Sequence, residues 1–230
     1  MPYPRHGFRC PSGKKFQPAP EVLENRYLKI SFEAAENSGR KKCFHVQDKR
    51  SSRIWKQQES GIEMSGLLFD SNSVAFDLSF SGSSRQYHGV ITLAPDQAEF
   101  TVEFSAPADS KMSGKHYFPP AFLSEPGDRV VIPICEGISY PVETDDAPSG
   151  YRAYYRGHGV TMAFFGSMEE KIHSSGESTG GAAYMAICET PANSGVELLW
   201  LPSNNSAKEN SLLTIRQGWV ADKGYFGYSR

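Results

Sequence analysis

Hydrophobic and polar residues alternate along much of this chain with a period of two, which places apolar side chains on one face of a β-strand. The alternation is clearest in segment 24–57, where three apolar sets follow one another: Leu28, Ile30 and Phe32, then Phe44 and Val46, then Ile54 and Trp55. Turn-forming residues separate the sets, with Asn37-Ser38-Gly39 in the first gap and Asp48-Lys49-Arg50-Ser51-Ser52 in the second. The segment therefore predicts a three-stranded β-meander.

Two further segments, 74–80 and 100–104, alternate in the same way and predict half-buried antiparallel strands. Four later runs are more continuously apolar and short enough to predict strands buried on both faces: 130–134, 160–165, 182–188 and 196–201. Segment 169–174 is the best short helix candidate, and long loops are expected at 105–128, 143–158 and 167–180. The pattern as a whole predicts an all-β fold of roughly 12 to 18 strands.

Prolines cluster before the first strand, at positions 2, 4, 11, 18 and 20. Because proline has no N–H to donate to a sheet, residues 1–20 are predicted to form an irregular N-terminal arm. Residues 21–230 suit a single β-sandwich domain, since sandwiches commonly run to about 200–250 residues. The four cysteines are too widely spaced for a zinc motif or a disulfide framework; Cys43, Cys135 and Cys188 are expected to be buried, and Cys10 exposed.

The charge of the chain excludes some classes of partner. It carries 24 lysines and arginines and 26 aspartates and glutamates, for a formal charge of −2. It lacks the basic patch that binds a phosphate backbone or an anionic membrane, so neither nucleic acid nor a membrane is an expected partner. No apolar run approaches the roughly 18 residues of a membrane helix. Residues 1–15 lack the apolar core of a signal peptide, so a secreted or periplasmic location would need a signal outside this chain.

Five segments together resemble a known protein family. Segment 24–57, with ENRYLKISF, HVQDKR and RIW, resembles the opening of the galactose-mutarotase-like β-supersandwich domain. The other four are similar to the N-terminal domains of large bacterial glycoside hydrolases related to the endo-α-N-acetylgalactosaminidases: 126–142 (PGDRVVIPICEGISYPV), 162–166 (MAFFG), 180–190 (GGAAYMAICET) and 218–230 (GWVADKGYFGYSR). The likeness spans nearly the whole chain.

The resemblance implies an all-β, antiparallel β-supersandwich that precedes a catalytic (β/α) barrel in the same parent chain. Barrel strand ends would carry the carboxylates that cleave the glycosidic bond. This chain would then be a non-catalytic N-terminal domain that supports the barrel and contacts carbohydrate, and no cofactor is implied. Two alternatives stay open: a stand-alone carbohydrate-binding module, and an aldose epimerase with His88 or His158 as acid and Glu189 as base.

The chain offers no clear catalytic or metal-binding pattern. The acids nearest to apolar strands are Glu136, Glu143, Asp145, Asp146 and Glu189. Glycoside hydrolysis needs two carboxyl groups at a set separation, whereas a residue such as Glu136 more commonly caps a turn or pairs with an arginine such as Arg129. The pair Asp145-Asp146 lacks the ligand spacing of a calcium loop, and the six histidines form no zinc-binding pattern. No catalytic residue and no metal site is predicted.

A carbohydrate-binding site is the remaining candidate. Aromatic faces stack on sugar rings, and neighbouring polar groups fix the orientation. Segment 151–158 is dense in both, so carbohydrate contact is predicted for Tyr151, Tyr154, Tyr155, Arg156 and His158. The competing interpretation is an edge strand, or a surface that packs against the neighbouring barrel. Trp55, Trp200 and Trp219 are expected to fill the core or its barrel-facing side.

Overall fold

Most of the residues that the structure describes lie in β-strands. This computed structural model describes residues 21–34, 41–58, 61–105, 115–132, 137–143, 152–155, 162–172, 175–176, 178–189, 191, 194–202 and 211–220. The strands are β1 (Val22–Glu24), β2 (Leu28–Ala34), β3 (Lys41–Asp48), β4 (Ile54–Trp55), β5 (Ile62–Phe69), β6 (Ser73–Phe80), β7 (Gln86–Leu93), β8 (Phe100–Ser105), β9 (Lys115–Tyr117), β10 (Asp128–Ile132), β11 (Ile138–Pro141), β12 (Arg152–Tyr154), β13 (Phe164–Ile172), β14 (Ser178–Ile187), β15 (Ser194–Pro202) and β16 (Ser211–Val220). These ranges contain no helix, hence none that could cross a membrane.

The strands form three sheets. The large sheet has the order β1-β2-β3-β5-β6-β7-β8, and β4 pairs with β3. The sheet named here the β14 sheet has the order β11-β10-β13-β14, and the β16 sheet has the order β12-β15-β16-β9. The strand pairs are antiparallel throughout. The prediction of an all-β, antiparallel sandwich is therefore confirmed.

The meander predicted from the opening residues corresponds to β2, β3 and β4. The residues predicted to share one face of β2, Leu28, Ile30 and Phe32, are all buried. In the turn that follows β3, Asp48 accepts a hydrogen bond from the backbone N–H of Arg50 at 2.9 Å. Local alternation and local turn chemistry therefore account for this part of the large sheet.

Two apolar cores stabilise the molecule. The first packs on the large sheet and includes the predicted apolar faces of β2, β3 and β6. The second lies between the two smaller sheets, with Val130 and Phe165 from the β14 sheet and Leu198 and Ile215 from the β16 sheet. Tyr184 of β14 packs against both cores. The β14 sheet is thus the layer through which the two halves of the molecule meet.

Arg53, in the turn before β4, joins the large sheet to the β14 sheet. Its Nη2 donates to Asp128 Oδ2 at 2.7 Å, and its Nη1 lies 3.0 Å from Glu125 Oε2. The same guanidinium lies 4.5 Å from the ring centroid of Trp55, and that ring meets Tyr184 edge-on at 4.9 Å. The Asp128 side chain is fully buried, and this burial raises its pKa above the usual 3.8. The ionised carboxylate therefore depends on Arg53 for its counter-charge.

Four sequence predictions for the β14 sheet are wrong. Segment 160–165 is not a strand buried on both faces, because β13 begins at Phe164 and Met162 before it is 52% exposed. Residues 182–188 are not buried on both faces, because exposed and buried residues alternate along β14 and Met185 and Ile187 are 65% and 67% exposed. Residues 169–172 are not helical but belong to β13. The loop expected at 167–180 is largely a hairpin in which β13 pairs with β14. Long-range pairing overrides the local helix preference of this segment, and a local apolar run does not reveal which face of a strand is covered.

Several smaller predictions can be compared with the structure. Cys43 and Cys188 are buried, as expected. Trp55 is buried, and Trp200 packs against the second core. The N-terminal arm at 1–20 lies outside the described residues, as do Cys10, Cys135 and the side chain of Trp219. A single domain over 21–230 stays a prediction.

We expect Arg53→Leu to lower the free energy of unfolding by about 3–5 kcal/mol at pH 7, because it leaves the buried Asp128 carboxylate without its counter-charge. Removing Arg53 also raises the pKa of Asp128 further. A raised pKa in the folded state contributes stability at low pH that is lost as the pH rises, so the deficit should be smaller in acid. Urea unfolding at pH 7 and pH 5 measures both effects.

Arg50→Leu is the matched control, because it removes another arginine–aspartate pair from the same turn. Arg50 pairs with Asp48, but its side chain is 59% exposed. The expected loss of stability is below about 1 kcal/mol. Equal losses for the two variants, or a loss for Arg53→Leu that is the same at both pH values, would contradict the importance of the buried pair.

Candidate functional site

Four polar side chains from the four strands of the β16 sheet line up on one face. Antiparallel register places Arg152 of β12 opposite Glu197 of β15, and Glu197 opposite Arg216 of β16. Tyr117 of β9 pairs with Gly218, two residues beyond Arg216, which brings Tyr117 to the same face. We call Tyr117, Arg152, Glu197 and Arg216 the polar row.

Glu197 is the centre of the polar row and is only 3% exposed. Its Oε1 accepts a hydrogen bond from Nε of Arg152. Its Oε2 accepts from Nε and Nη2 of Arg216, at 2.8 and 2.5 Å. The guanidinium carbon of Arg216 lies 3.5 Å from the ring centroid of Tyr117. The buried carboxylate is therefore paired through both oxygens, which offsets the free energy of removing it from water.

The protonation states in the polar row follow from these contacts. Burial by itself would raise the pKa of Glu197, but hydrogen bonds from Arg152 and Arg216 outweigh it and hold the pKa below the usual 4.5. Burial raises the pKa of Tyr117, and the adjacent Glu197 charge raises it further. Glu197 is therefore ionised and Tyr117 protonated at neutral pH. A carboxylate that is fully engaged in this way is poorly suited to serve as a general base.

A second surface feature is apolar and lies on the β14 sheet, where β14 is the edge strand. Met185 and Ile187 of β14 are 65% and 67% exposed, and Met162, just before β13, is 52% exposed. Ile187 pairs with Phe164 of β13, which is partly exposed. We call Met162, Phe164, Met185 and Ile187 the apolar face. Register places Ile187 beside Phe164, with Met185 two residues away on the same face of β14, and exposed apolar patches commonly mark sites of interaction.

The structure describes only part of the predicted carbohydrate site. Tyr155 is 5% exposed and packs in the second core, and burial raises the pKa of its hydroxyl. Its ring therefore contributes to the core. Tyr154 lies in β12, which is an edge strand, as the competing interpretation expected. Tyr151, Arg156, His158 and the side chain of Tyr154 lie outside the described residues, so their contact with carbohydrate stays a prediction.

The other candidate residues do not form a reaction centre within the described ranges. Glu143 is exposed and accepts a hydrogen bond from the N–H of Gly127 at 3.1 Å, which is a turn-capping role. His88 and Glu189 are exposed, with His88 in β7 of the large sheet and Glu189 after β14. Across the part of the chain that the structure describes, no three His, Cys, Asp or Glu side chains could hold a metal ion. Three further acids lie outside it: Glu136, Asp145 and Asp146.

Sequence reasoning missed the polar row, although a signal for it was present. Glu197 and Arg216 are the single charged residues of two otherwise uncharged and largely apolar strands, β15 (SGVELLWLP) and β16 (SLLTIRQGWV). A charged residue is rarely fully buried unless it is paired. Two apolar strands that carry one opposite charge each are therefore candidates for direct pairing. Arg152 lies in the aromatic segment 151–158, but it was not among the residues selected for carbohydrate contact.

No protein-family model and no curated protein matches this chain. Among solved structures, the chain is similar to the α-N-acetylgalactosaminidase NagBb from Bifidobacterium bifidum, in the form of a quadruple mutant, with 13% sequence identity and a TM-score of 0.56. The match covers 86% of this chain and 33% of that one, so this chain spans about a third of the length of the enzyme that it matches. At 13% identity the similarity shows a shared fold alone, and that fold is part of a glycoside hydrolase chain.

We expect Glu197→Gln to lower the free energy of unfolding by about 2–3 kcal/mol at pH 7, because two arginines lose their shared carboxylate. The value is below that for a fully buried pair, since the Arg152 side chain is 38% exposed. A depressed pKa in the folded state contributes stability above the unfolded value of 4.5, and this is lost as the pH falls through the folded pKa. Wild type and variant should therefore converge in stability in acid, as urea unfolding at pH 7, 4 and 3 would measure.

Glu103→Gln is the control, since Glu103 is an exposed carboxylate in β8. Its expected effect is within about 0.5 kcal/mol at each pH. A deficit for Glu197→Gln that is as large at pH 3 as at pH 7 would show that the ionised carboxylate is not what stabilises the row.

Proposed function

We propose that this chain is a non-catalytic β-sandwich domain of a glycoside hydrolase, and that it packs against the catalytic (β/α) barrel of the same parent chain. The observation that carries the proposal is the apolar face, in which Met162, Met185 and Ile187 are each more than half exposed. A domain that functions by packing against a neighbour needs a surface of this kind.

The apolar face is suited to docking by its position as well as by its composition. It lies on the side of β13 and β14 that is turned away from the second core, while Ala182 and Tyr184 of β14, and Cys188 just after it, face inward. Burying apolar surface contributes about 25 cal/mol per Å². Among the described strands β14 is at the end of its sheet, so a partner that also reaches its backbone could shield that edge.

The fold comparison supports the same proposal. The chain is similar to part of a glycoside hydrolase and corresponds to 33% of that enzyme's length. A parent protein of comparable size would leave about two thirds of its length for further domains, and a barrel of about 250 residues fits within that length.

A catalytic role for the described residues has little support. Cleavage of a glycosidic bond requires two carboxyl groups about 5–10 Å apart across the scissile bond. Glu197 is buried and engaged by two arginines, and Glu143 caps a turn. The proposed role is therefore mechanical: the domain stabilises the barrel and forms part of its surroundings.

We expect the double variant Met185→Lys, Ile187→Lys to behave differently in the isolated chain and in the full-length parent. In the isolated chain both side chains are exposed, so the change in the free energy of unfolding should be within about 0.5 kcal/mol. In the parent, two charged lysines would be forced into a dry interface, which costs several kcal/mol and should lower the melting temperature by at least several degrees. Thermal unfolding of both proteins measures the difference.

Leu68→Lys is the matched control, because Leu68 of β5 is 73% exposed but lies on the large sheet. It should be neutral in both proteins. The proposal is wrong if the double variant is neutral in the parent, if the parent reading frame encodes no barrel, or if the isolated chain hydrolyses aryl glycosides.

A further inference from the structure

The polar row has more positive charge than its internal pairing requires. Arg152 and Arg216 together carry two positive charges, and Glu197 carries one negative charge. The Glu197 side chain is 4% exposed, whereas that of Arg152 is 38% exposed and that of Arg216 is 23% exposed. The negative charge is therefore enclosed while the surplus positive charge faces outward. We propose that the polar row is a binding site for a carboxylate-bearing ligand, with Arg152 as the residue that contacts it.

The contacts within the row hold Arg152 ready for such a ligand. A free arginine side chain loses considerable rotamer entropy when it binds. Arg152 is already anchored, because its Nε donates to the buried Oε1 of Glu197. Glu197 is in turn fixed by two hydrogen bonds from Arg216, which stacks on Tyr117. Anchoring of this kind reduces the entropy lost on binding and so raises affinity without a new contact.

The chemistry of the site selects the type of anion. A guanidinium has five N–H donors in a plane, and Arg152 directs one of them, at Nε, to Glu197. The Nη groups carry the other four; a hydrogen bond with Tyr117 also engages this guanidinium, and the Nη donors that remain can meet the oxygens of a carboxylate. Because the polar row carries one surplus positive charge, a ligand with a single negative charge would neutralise it. A nucleic-acid backbone would require a broad basic surface, and a chain with a formal charge of −2 does not provide one.

An acidic sugar is the form of this ligand that fits the proposed function. The choice of a sugar as the ligand rests on the proposed function in a glycoside hydrolase. The proposal that the site binds a carboxylate does not depend on that function. The polar row is on the β16 sheet and the apolar face is on the β14 sheet. Failure of the site would therefore leave the docking proposal intact, and failure of docking would leave the carboxylate site intact.

The test is a titration of the chain itself, followed by NMR or calorimetry at constant ionic strength, with sodium galacturonate, galactose and sodium acetate as the three probes. We expect saturable binding of galacturonate with a dissociation constant on the order of 1 mM, since one charged contact dominates. Galactose, which has a similar ring and no carboxylate, should bind at least about tenfold more weakly, the equivalent of a lost charge-assisted contact. If acetate binds as tightly as galacturonate, the site recognises the carboxylate alone. If acetate binds more weakly, the site also contacts the sugar, which supports an acidic sugar as the ligand.

Two variants at position 152 identify the contact. Arg152→Gln should weaken galacturonate binding by at least about tenfold. Arg152→Lys keeps the charge but loses the planar fork, so it should bind with intermediate affinity. Arg129→Gln is the matched control: Arg129 is 27% exposed and pairs with Glu170 across strands of the β14 sheet, and it should bind like wild type.

Three results would overturn the proposal. The first is equal binding of galactose and galacturonate by the wild-type chain, and the second is no saturable binding of either carboxylate. The third is an equal loss in Arg152→Gln and Arg129→Gln. The first two use the unmodified chain, so they stand even if Arg152→Gln does not fold.

Discussion

The buried pair of Arg53 and Asp128 is the contact on which the arrangement of the sheets depends. Asp128 lies in a site where burial raises its pKa, so the ionised carboxylate lowers the stability of the fold unless a cation meets it. Within the described ranges, Arg53 from the turn before β4 supplies that cation, at 2.7 Å. The main effect of the pair is therefore to fix how the large sheet packs against β10. Its net contribution to stability is smaller, because removing both charges from water offsets their attraction. It also holds Trp55 against Tyr184, the residue that packs on both cores.

The packing of Tyr184 on both cores determines which side of β14 faces outward. Successive side chains of a strand point to opposite faces, so directing Tyr184 inward directs Met185 outward. The same alternation gives the β16 sheet its two faces, with Leu198 and Ile215 in the second core and Glu197 and Arg216 on the opposite side. The molecule thus presents one apolar surface and one charged surface on different sheets. We assign the first to packing against another domain and the second to a carboxylate ligand.

The strands of the meander could be predicted because alternation and turn residues are local features. Leu28, Ile30 and Phe32 specify one face without reference to the rest of the chain. The exposed side of β14 could not be predicted, because an apolar run looks the same whether one face or two are covered. The polar row depends on register: Arg152 and Glu197 are 45 residues apart, and only strand pairing brings them together. The predicted carbohydrate residues were chosen by type, which does not separate a core tyrosine such as Tyr155 from a surface one.

We propose that another domain of a longer parent protein covers the apolar face, and methionine oxidation can test whether it does. Brief peroxide treatment followed by mass spectrometry reports the accessibility of each methionine. In the isolated chain, Met185 and Met162 should oxidise readily, while Met64, which is fully buried, should not. If the apolar face is covered, Met185 and Met162 become protected in the full-length parent, with Met64 unreactive in both proteins. Oxidation of Met185 at the same rate in the isolated chain and in the parent would contradict it.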